Sequence, residues 1–159
     1  MNLTYEDKIV GTIRPSTKKD CVHIGYFMRE QDAMVMWSAF RYSPIEAALD
    51  SYKKAFISLT IEKDGKPIVM FGIMPKSMAS GAMWLLSTNG IYKIGRIFVR
   101  NSKAWVSDML EFYPHLWGMV DLRNTVSKRW LDYLGCKWGD IIPYGIDKMP
   151  FQYFEFKKE

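Results

Sequence analysis

The run from Ala82 to Gly135 constrains this chain more than any other feature. Ala82 to Ser87 is almost wholly apolar, the pattern of a strand covered on both faces of its sheet. From Ile91 the period changes. At about 100° per residue Ile91, Ile94, Phe98, Trp105, Met109 and Phe112 fall within one narrow arc, which predicts a long amphipathic helix over 91–112. Pro114 stops it, and Leu116 to Leu122 reads as another strand. Asn124 and Thr125 then form a capping pair for a helix whose expected apolar face is Val126, Trp130, Tyr133 and Leu134, with Gly135 as its C-terminal cap. Strands alternating with helices predict an α/β domain, since each helix must bury its apolar stripe against a sheet.

The preceding segments extend the pattern. Lys8 to Arg14 predicts a first strand ended by Pro15, and Ser16 and Thr17 are candidates to start a helix over about Lys18 to Arg29. Ala33 to Phe40 is apolar and Met-rich and reads equally as a short helix or a packed loop. Ser43-Pro44-Ile45-Glu46 is a clear helix start: Ser43 caps the first turn, Pro44 suits the first helical position and Glu46 completes a capping box. A helix is therefore expected from Pro44 to about Lys54. Phe56 to Glu62 and Pro67 to Met74 flank Asp64-Gly65 and predict a hairpin, and Pro75 to Gly81 a loop. Phe151 to Phe156 alternates, as an edge or hairpin strand does. No repeat or linker divides the 159 residues, so a single domain over 1–159 is expected.

Composition narrows the class. Hydrophobic residues at 48% and charged residues at 25% match ordinary globular chains. No apolar run approaches the roughly 20 residues of a membrane-spanning helix, and Met1 to Val10 is mixed and acidic, unlike a signal peptide. A cytosolic chain without a membrane partner is the expectation. Cys21 and Cys136 have no metal-ligand spacing and read as reduced thiols, so no metal is expected. The net charge of +5 favours an anionic partner, nucleic acid or a phosphorylated cofactor. The 11 Met and 6 Trp leave a partner-binding face open.

The element order, strand, two helices, three strands, helix, strand, helix, strand, resembles the GNAT N-acetyltransferase superfamily over nearly the whole chain. Ile13-Arg14-Pro15 followed by Asp20 is similar to that superfamily's opening strand and helix cap, and Glu62 to Pro67 to its hairpin between the second and third strands. The most specific match is an Asn after the fifth strand, Asn124, opening a helix that ends at a Gly eleven residues later. The second half, Trp84 to Trp138, resembles GNAT-like proteins of short-tailed bacteriophages, a group that includes a small internal virion protein. Trp84 with Thr88, the long helix, Tyr113 to Leu116, and Asn124 through Trp130-Leu131 to Leu134-Gly135 carry that likeness. The resemblance implies a mixed central sheet of about six or seven strands flanked by about four helices, with acetyl-CoA as cofactor.

In the superfamily the fourth strand leads into a Gly-containing loop whose amides hold the CoA pyrophosphate at a helix N-terminus, where free N–H groups and the helix dipole attract an anion. The resemblance assigns cofactor binding to Leu85, Leu86, Ser87, Thr88, Asn89, Gly90, Ile91 and Lys93, together with Asn124. Gly90 and Gly95 lack the superfamily's spacing. The amides of Asn89 to Tyr92 read as a weaker anion site helped by Lys93, while Ser87, Thr88 or Asn89 read equally as ordinary caps. Many members place a general-acid Tyr seven residues after the Asn, and here that residue is Leu131, which has no proton to give. Tyr133 lies about 200° further round the helix and cannot simply take over; it reads first as a core-facing aromatic with its hydroxyl at the rim, and second as a catalytic candidate. Asp121, the only carboxylate on the fourth or fifth strand, is a candidate base and equally a turn former or partner of Arg123. His23 and His115 have no nucleophile beside them and read as structural or exposed.

Direct acetyl transfer needs little beyond positioning and an oxyanion donor. Two functions therefore stand side by side: an acetyltransferase moving acetyl from acetyl-CoA to an amine, or a non-catalytic phage protein that binds. The second would act in the host cytoplasm or the virion, on a host or virion protein or on nucleic acid. Finally, Lys93, Arg96, Arg100 and Lys103 recur at spacings of three, four and three, a basic stripe that reads as a solvated face or as a contact for phosphates or an acidic protein surface.

Overall fold

A hairpin absent from the expected order begins the chain. In the computed structural model, which describes residues 1–159, β1 (Asn2–Tyr5) turns through Glu6 and Asp7, at φ 49° and 64°, into β2 (Lys8–Pro15). Three helices follow, α1 (Lys18–Tyr26), α2 (Glu30–Phe40) and α3 (Pro44–Lys54), then β3 (Ile57–Lys63), β4 (Lys66–Pro75) and β5 (Ser80–Ser87). The long α4 (Ile91–Phe112), β6 (His115–Asp121), α5 (Thr125–Leu134), β7 (Lys137–Tyr144) and β8 (Met149–Lys157) complete it. All eight strands form one sheet in the order β1-β2-β3-β4-β5-β6-β8-β7. Every pair is antiparallel except β5 and β6.

The mixed α/β class is as expected, with one strand and one helix beyond the expected counts. β1 and β7 escaped the sequence reading because both lie at sheet edges. β7 is largely exposed and carries a bulge between Trp138 and Ile141, so no period-two pattern marks it. α1 stops at Tyr26 rather than Arg29, because Met28 bridges to Thr88 and Arg29 becomes the N-cap of α2. The undecided 33–40 stretch is helix. Arg41 closes it in the left-handed conformation, at φ 58°, with its N–H bonded to the Trp37 carbonyl.

Each face of the sheet has its own core. On one, Ile94, Phe98, Trp105 and Met109 of α4 bury against the strands, with Phe71 stacked on Trp105 at 5.2 Å between centroids. On the other, Cys21, Ile24, Ala47 and Ala48 of α1 and α3 cover Met70 and Leu86. The apolar face of α5 differs from expectation. Val126 and Tyr133 are exposed and Leu131 is buried, because Trp130 turns its ring onto Phe98 and donates Nε1–H to Ser102 Oγ at 3.0 Å. Phe112 of the expected α4 arc is also exposed. No helix is long and apolar enough to cross a membrane.

Asp20 ties the first helix to the sheet. It completes a capping box with Thr17 and accepts from both Arg14 Nη atoms at 2.7 and 2.8 Å and from Thr60 Oγ at 3.0 Å. The Arg-Pro…Asp pattern thus has a physical basis: the last charged residue of β2 clamps the first turn of α1.

Candidate ligand cleft

β5 and β6 pair only through Ser80–Ala82 with His115–Trp117. Beyond that, β5 stays with β4 as far as Ser87 and β6 with β8 as far as Asp121, so the two parallel strands diverge. The wedge between them is a cleft of about 420 Å³, walled by Met83, Trp84 and Leu85 from β5, Trp117 and Met119 from β6, Phe40 from α2 and Leu131 from α5. That volume lies within the range of small-molecule sites, about 300–1,000 Å³. The buried Nε1 of Trp84 has no hydrogen-bond partner.

The wide end of the wedge is closed by the chain itself. Ser87 donates its backbone N–H and its hydroxyl to Asp32 Oδ2, at 3.0 and 3.2 Å, and its carbonyl accepts from the Arg29 N–H at 2.8 Å. The Arg29 guanidinium, 4% exposed, donates to Asp32 Oδ1 at 2.7 Å and reaches the Tyr92 hydroxyl at 3.4 Å. Burial works against the Arg29 charge, but the Asp32 carboxylate outweighs it and holds the guanidinium above its ordinary pKa. Arg29 and Asp32 were not singled out from the sequence. No local motif marks them, since their partners arrive from a strand 55 residues away.

The loop after β5 uses its own donors. Ile91, Tyr92 and Lys93 donate their N–H groups to the carbonyls of Thr88, Asn89 and Gly90 at 3.0–3.2 Å. Gly90 donates to Thr88 Oγ at 3.2 Å, and Thr88 Oγ donates onward to the Ile68 carbonyl. A Cβ at Gly90 would meet Ile68 Cδ1 at 2.7 Å, so this glycine answers packing from β4. Of the other residues assigned to cofactor binding, Leu85 lines the cleft and Leu86 is also part of the core under α1 and α3. Ile91 is half-buried, and Asn89 and Lys93 are exposed. Asn124 borders the cleft as the N-cap of α5, accepting from the Ser127 N–H at 3.3 Å.

Asp121 lies on the cleft wall with its carboxylate fully buried. Arg123 engages it through its N–H at 2.8 Å and Nη2 at 2.6 Å, the partner reading of this residue. Tyr133 is 47% exposed beneath Lys103 Nζ, 4.4 Å from its ring, and is not part of the cleft lining. Lys93, Arg96, Arg100 and Lys103 are exposed along α4. His23 packs on Phe27, while His115 bonds Glu155 at 2.8 Å. No cluster of metal-ligating side chains is present.

The amides of Gly90 to Lys93 are bonded within the loop, the end of β5 is capped by a carboxylate, and Leu131 offers no proton. The floor of the wedge is apolar.

No protein-family model matches the chain, and no curated protein matches it. Solved structures do. An Ard1 from Thermoplasma volcanium is 16% identical, with a TM-score of 0.73 over 95% of this chain and 99% of that one. The acetyltransferase yncA of Salmonella typhimurium, a putative one determined with acetyl-CoA, is 12% identical, with a TM-score of 0.67 over 94% of each chain. A spermidine N-acetyltransferase of Vibrio cholerae, in complex with CoA and spermine, is 12% identical, with a TM-score of 0.70 over 93% of this chain and 95% of that one. At such identities the likeness is one of architecture, and the architecture is that of the GNAT acetyltransferases.

Proposed function

We propose that this chain is a GNAT-fold protein of a bacteriophage that acts by binding and not by acetyl transfer. One observation carries the reading: the N–H and C=O of Ser87 are bonded to Asp32 and Arg29, so α2 occupies the strand edge at the wide end of the wedge. Leu131 and the self-bonded loop agree with it. The phage origin rests on the likeness of Trp84 to Trp138, and with that origin the partner is sought among host or virion proteins or nucleic acid.

Calorimetric titration with CoA and acetyl-CoA tests the reading. No saturable heat is expected up to millimolar ligand, and no thiol release with spermine or an N-terminal peptide amine as acceptor. Saturable binding together with thiol release would overturn the proposal and restore an acetyl-CoA-dependent amine acetyltransferase.

A further inference from the structure

α4 and α5 run side by side in the same direction, since Phe98 packs on Trp130 and, further along both helices, Lys103 lies over Tyr133. Their N-termini therefore share one end of the helical layer. From Ile91 to Ser107, α4 carries Lys93, Arg96, Arg100 and Lys103 and no carboxylate, and α5 adds Lys128 and Arg129 before its only acid, Asp132. None of the six is within ion-pair distance of a carboxylate, in contrast to Arg14, Arg29, Arg41 and Arg123 elsewhere. Three lie over aromatic rings instead: Arg100 over Tyr5 at 5.4 Å, Lys103 over Tyr133 at 4.4 Å and Lys128 over Trp138 at 5.4 Å.

This arrangement works against the stability of the helices. Cations three and four residues apart repel along one face, and cations in a first turn oppose the helix dipole, which favours acids there. Neither α4 nor α5 has an acid in its first turn. A face that served solubility alone would mix both signs.

We propose that the outer face of α4 and α5 binds the phosphate backbone of nucleic acid, without reading base sequence. The four cations of α4 recur about once per turn, roughly every 5 Å along the axis, a repeat that suits a regular chain of anions better than the scattered carboxylates of a folded protein. The exposed rings of Tyr92 and Tyr133 lie among them, each with a cation over one face, and unpaired bases can stack on the other. A single strand is the favoured form. The inference does not depend on what the cleft holds.

Fluorescence anisotropy with labelled single-stranded and duplex 20-mers tests it. Binding of the single strand is expected at 50 mM salt. It should weaken roughly 50- to 300-fold by 200 mM if four to six phosphates are neutralised, from a salt slope of about −0.7 per contact. The triple variant Arg96→Glu, Arg100→Glu, Lys103→Glu should bind at least tenfold more weakly, with a shallower slope. Lys18→Glu, Lys19→Glu, Lys53→Glu, the same charge change on exposed sites of α1 and α3, should leave binding within about twofold. Thermal melting checks that both variants fold; if the first does not, the neutral pair Arg96→Gln, Lys103→Gln replaces it with a threefold loss expected. No binding of either nucleic acid at 50 mM salt, equal losses in the two triple variants, or polyglutamate bound as tightly as DNA would overturn the proposal, the last in favour of an acidic protein partner.

Discussion

Asp20→Ala is expected to destabilise the fold by about 3–5 kcal/mol, from the loss of a helix cap together with charge-assisted hydrogen bonds. The side chain is almost fully buried and takes four hydrogen bonds: two from Arg14, one from the Thr17 N–H and one from Thr60. Alanine leaves the Thr17 amide without its acceptor and Thr60 Oγ with Ser16 Oγ alone, removes the capping box of α1 and leaves Arg14 bonded only to Glu62 and the Pro15 carbonyl. For a domain this size the loss corresponds to a melting temperature lower by roughly 6–20 °C, readable by calorimetry or circular dichroism. A loss under about 1 kcal/mol would show that α1 is held by the Cys21 and Ile24 contacts alone.

The same residue sets an acid limit. Burial pushes the Asp20 carboxyl upward, but the bonds from Arg14, Thr17 and Thr60 outweigh it and hold its pKa below the ordinary value. A carboxylate depressed in the folded state stabilises at pH above its unfolded pKa, about 3.9, and that contribution is lost as pH falls through the folded value. Wild-type stability should therefore drop below about pH 4, and the Asp20→Asn variant, already weakened, should drop less over the same interval. Parallel urea titrations at pH 6 and pH 3 make the comparison.

Asp32→Ala is the second change with a large expected effect, again about 3–5 kcal/mol. It would strand the buried Arg29 guanidinium and leave the Ser87 N–H and hydroxyl without their acceptor. The cost comes from the charge left behind and not from the pair's net contribution. Removing the cation as well should therefore recover most of it: in Arg29→Met with Asp32→Asn, methionine keeps the buried stem and the asparagine oxygen can still accept from Ser87. A double-mutant cycle in urea measures the coupling. Additive losses, with no recovery in the pair, would mean that Arg29 and Asp32 act separately and that the wide end of the wedge is not held as one unit.

How far the sequence could be read follows from where each signal resides. The helix at Pro44–Lys54 has its expected bounds because Ser43 and Pro44 act within one turn, and Ser43 Oγ accepts from the Glu46 N–H at 3.3 Å. Asn124 and Gly135 likewise bracket α5, with Gly135 at φ 83° where a side chain would be strained. The hairpin at Asp64-Gly65 and the long α4 rest on turn chemistry and on a period repeated over several turns. Each is a local property, complete before the chain folds.

What the sequence by itself determined, then, is the order and type of the central elements, and with them the α/β class. Only the tertiary structure decided what lies between them. The edge strands β1 and β7 exist through pairing with β2 and β8, and half-solvated edges leave little hydrophobic pattern. Leu131 and not Tyr133 turns inward because the position of α5 is set by Trp130 against Phe98 and Ser102, a contact that helical periodicity alone does not register. The closure of the wedge depends on Ser87 meeting Arg29 and Asp32 from another part of the chain. Hydrogen bonds between distant segments form only when the sheet brings those segments together, so whether the loop and strand end kept free donors for a cofactor was a question the fold alone could answer.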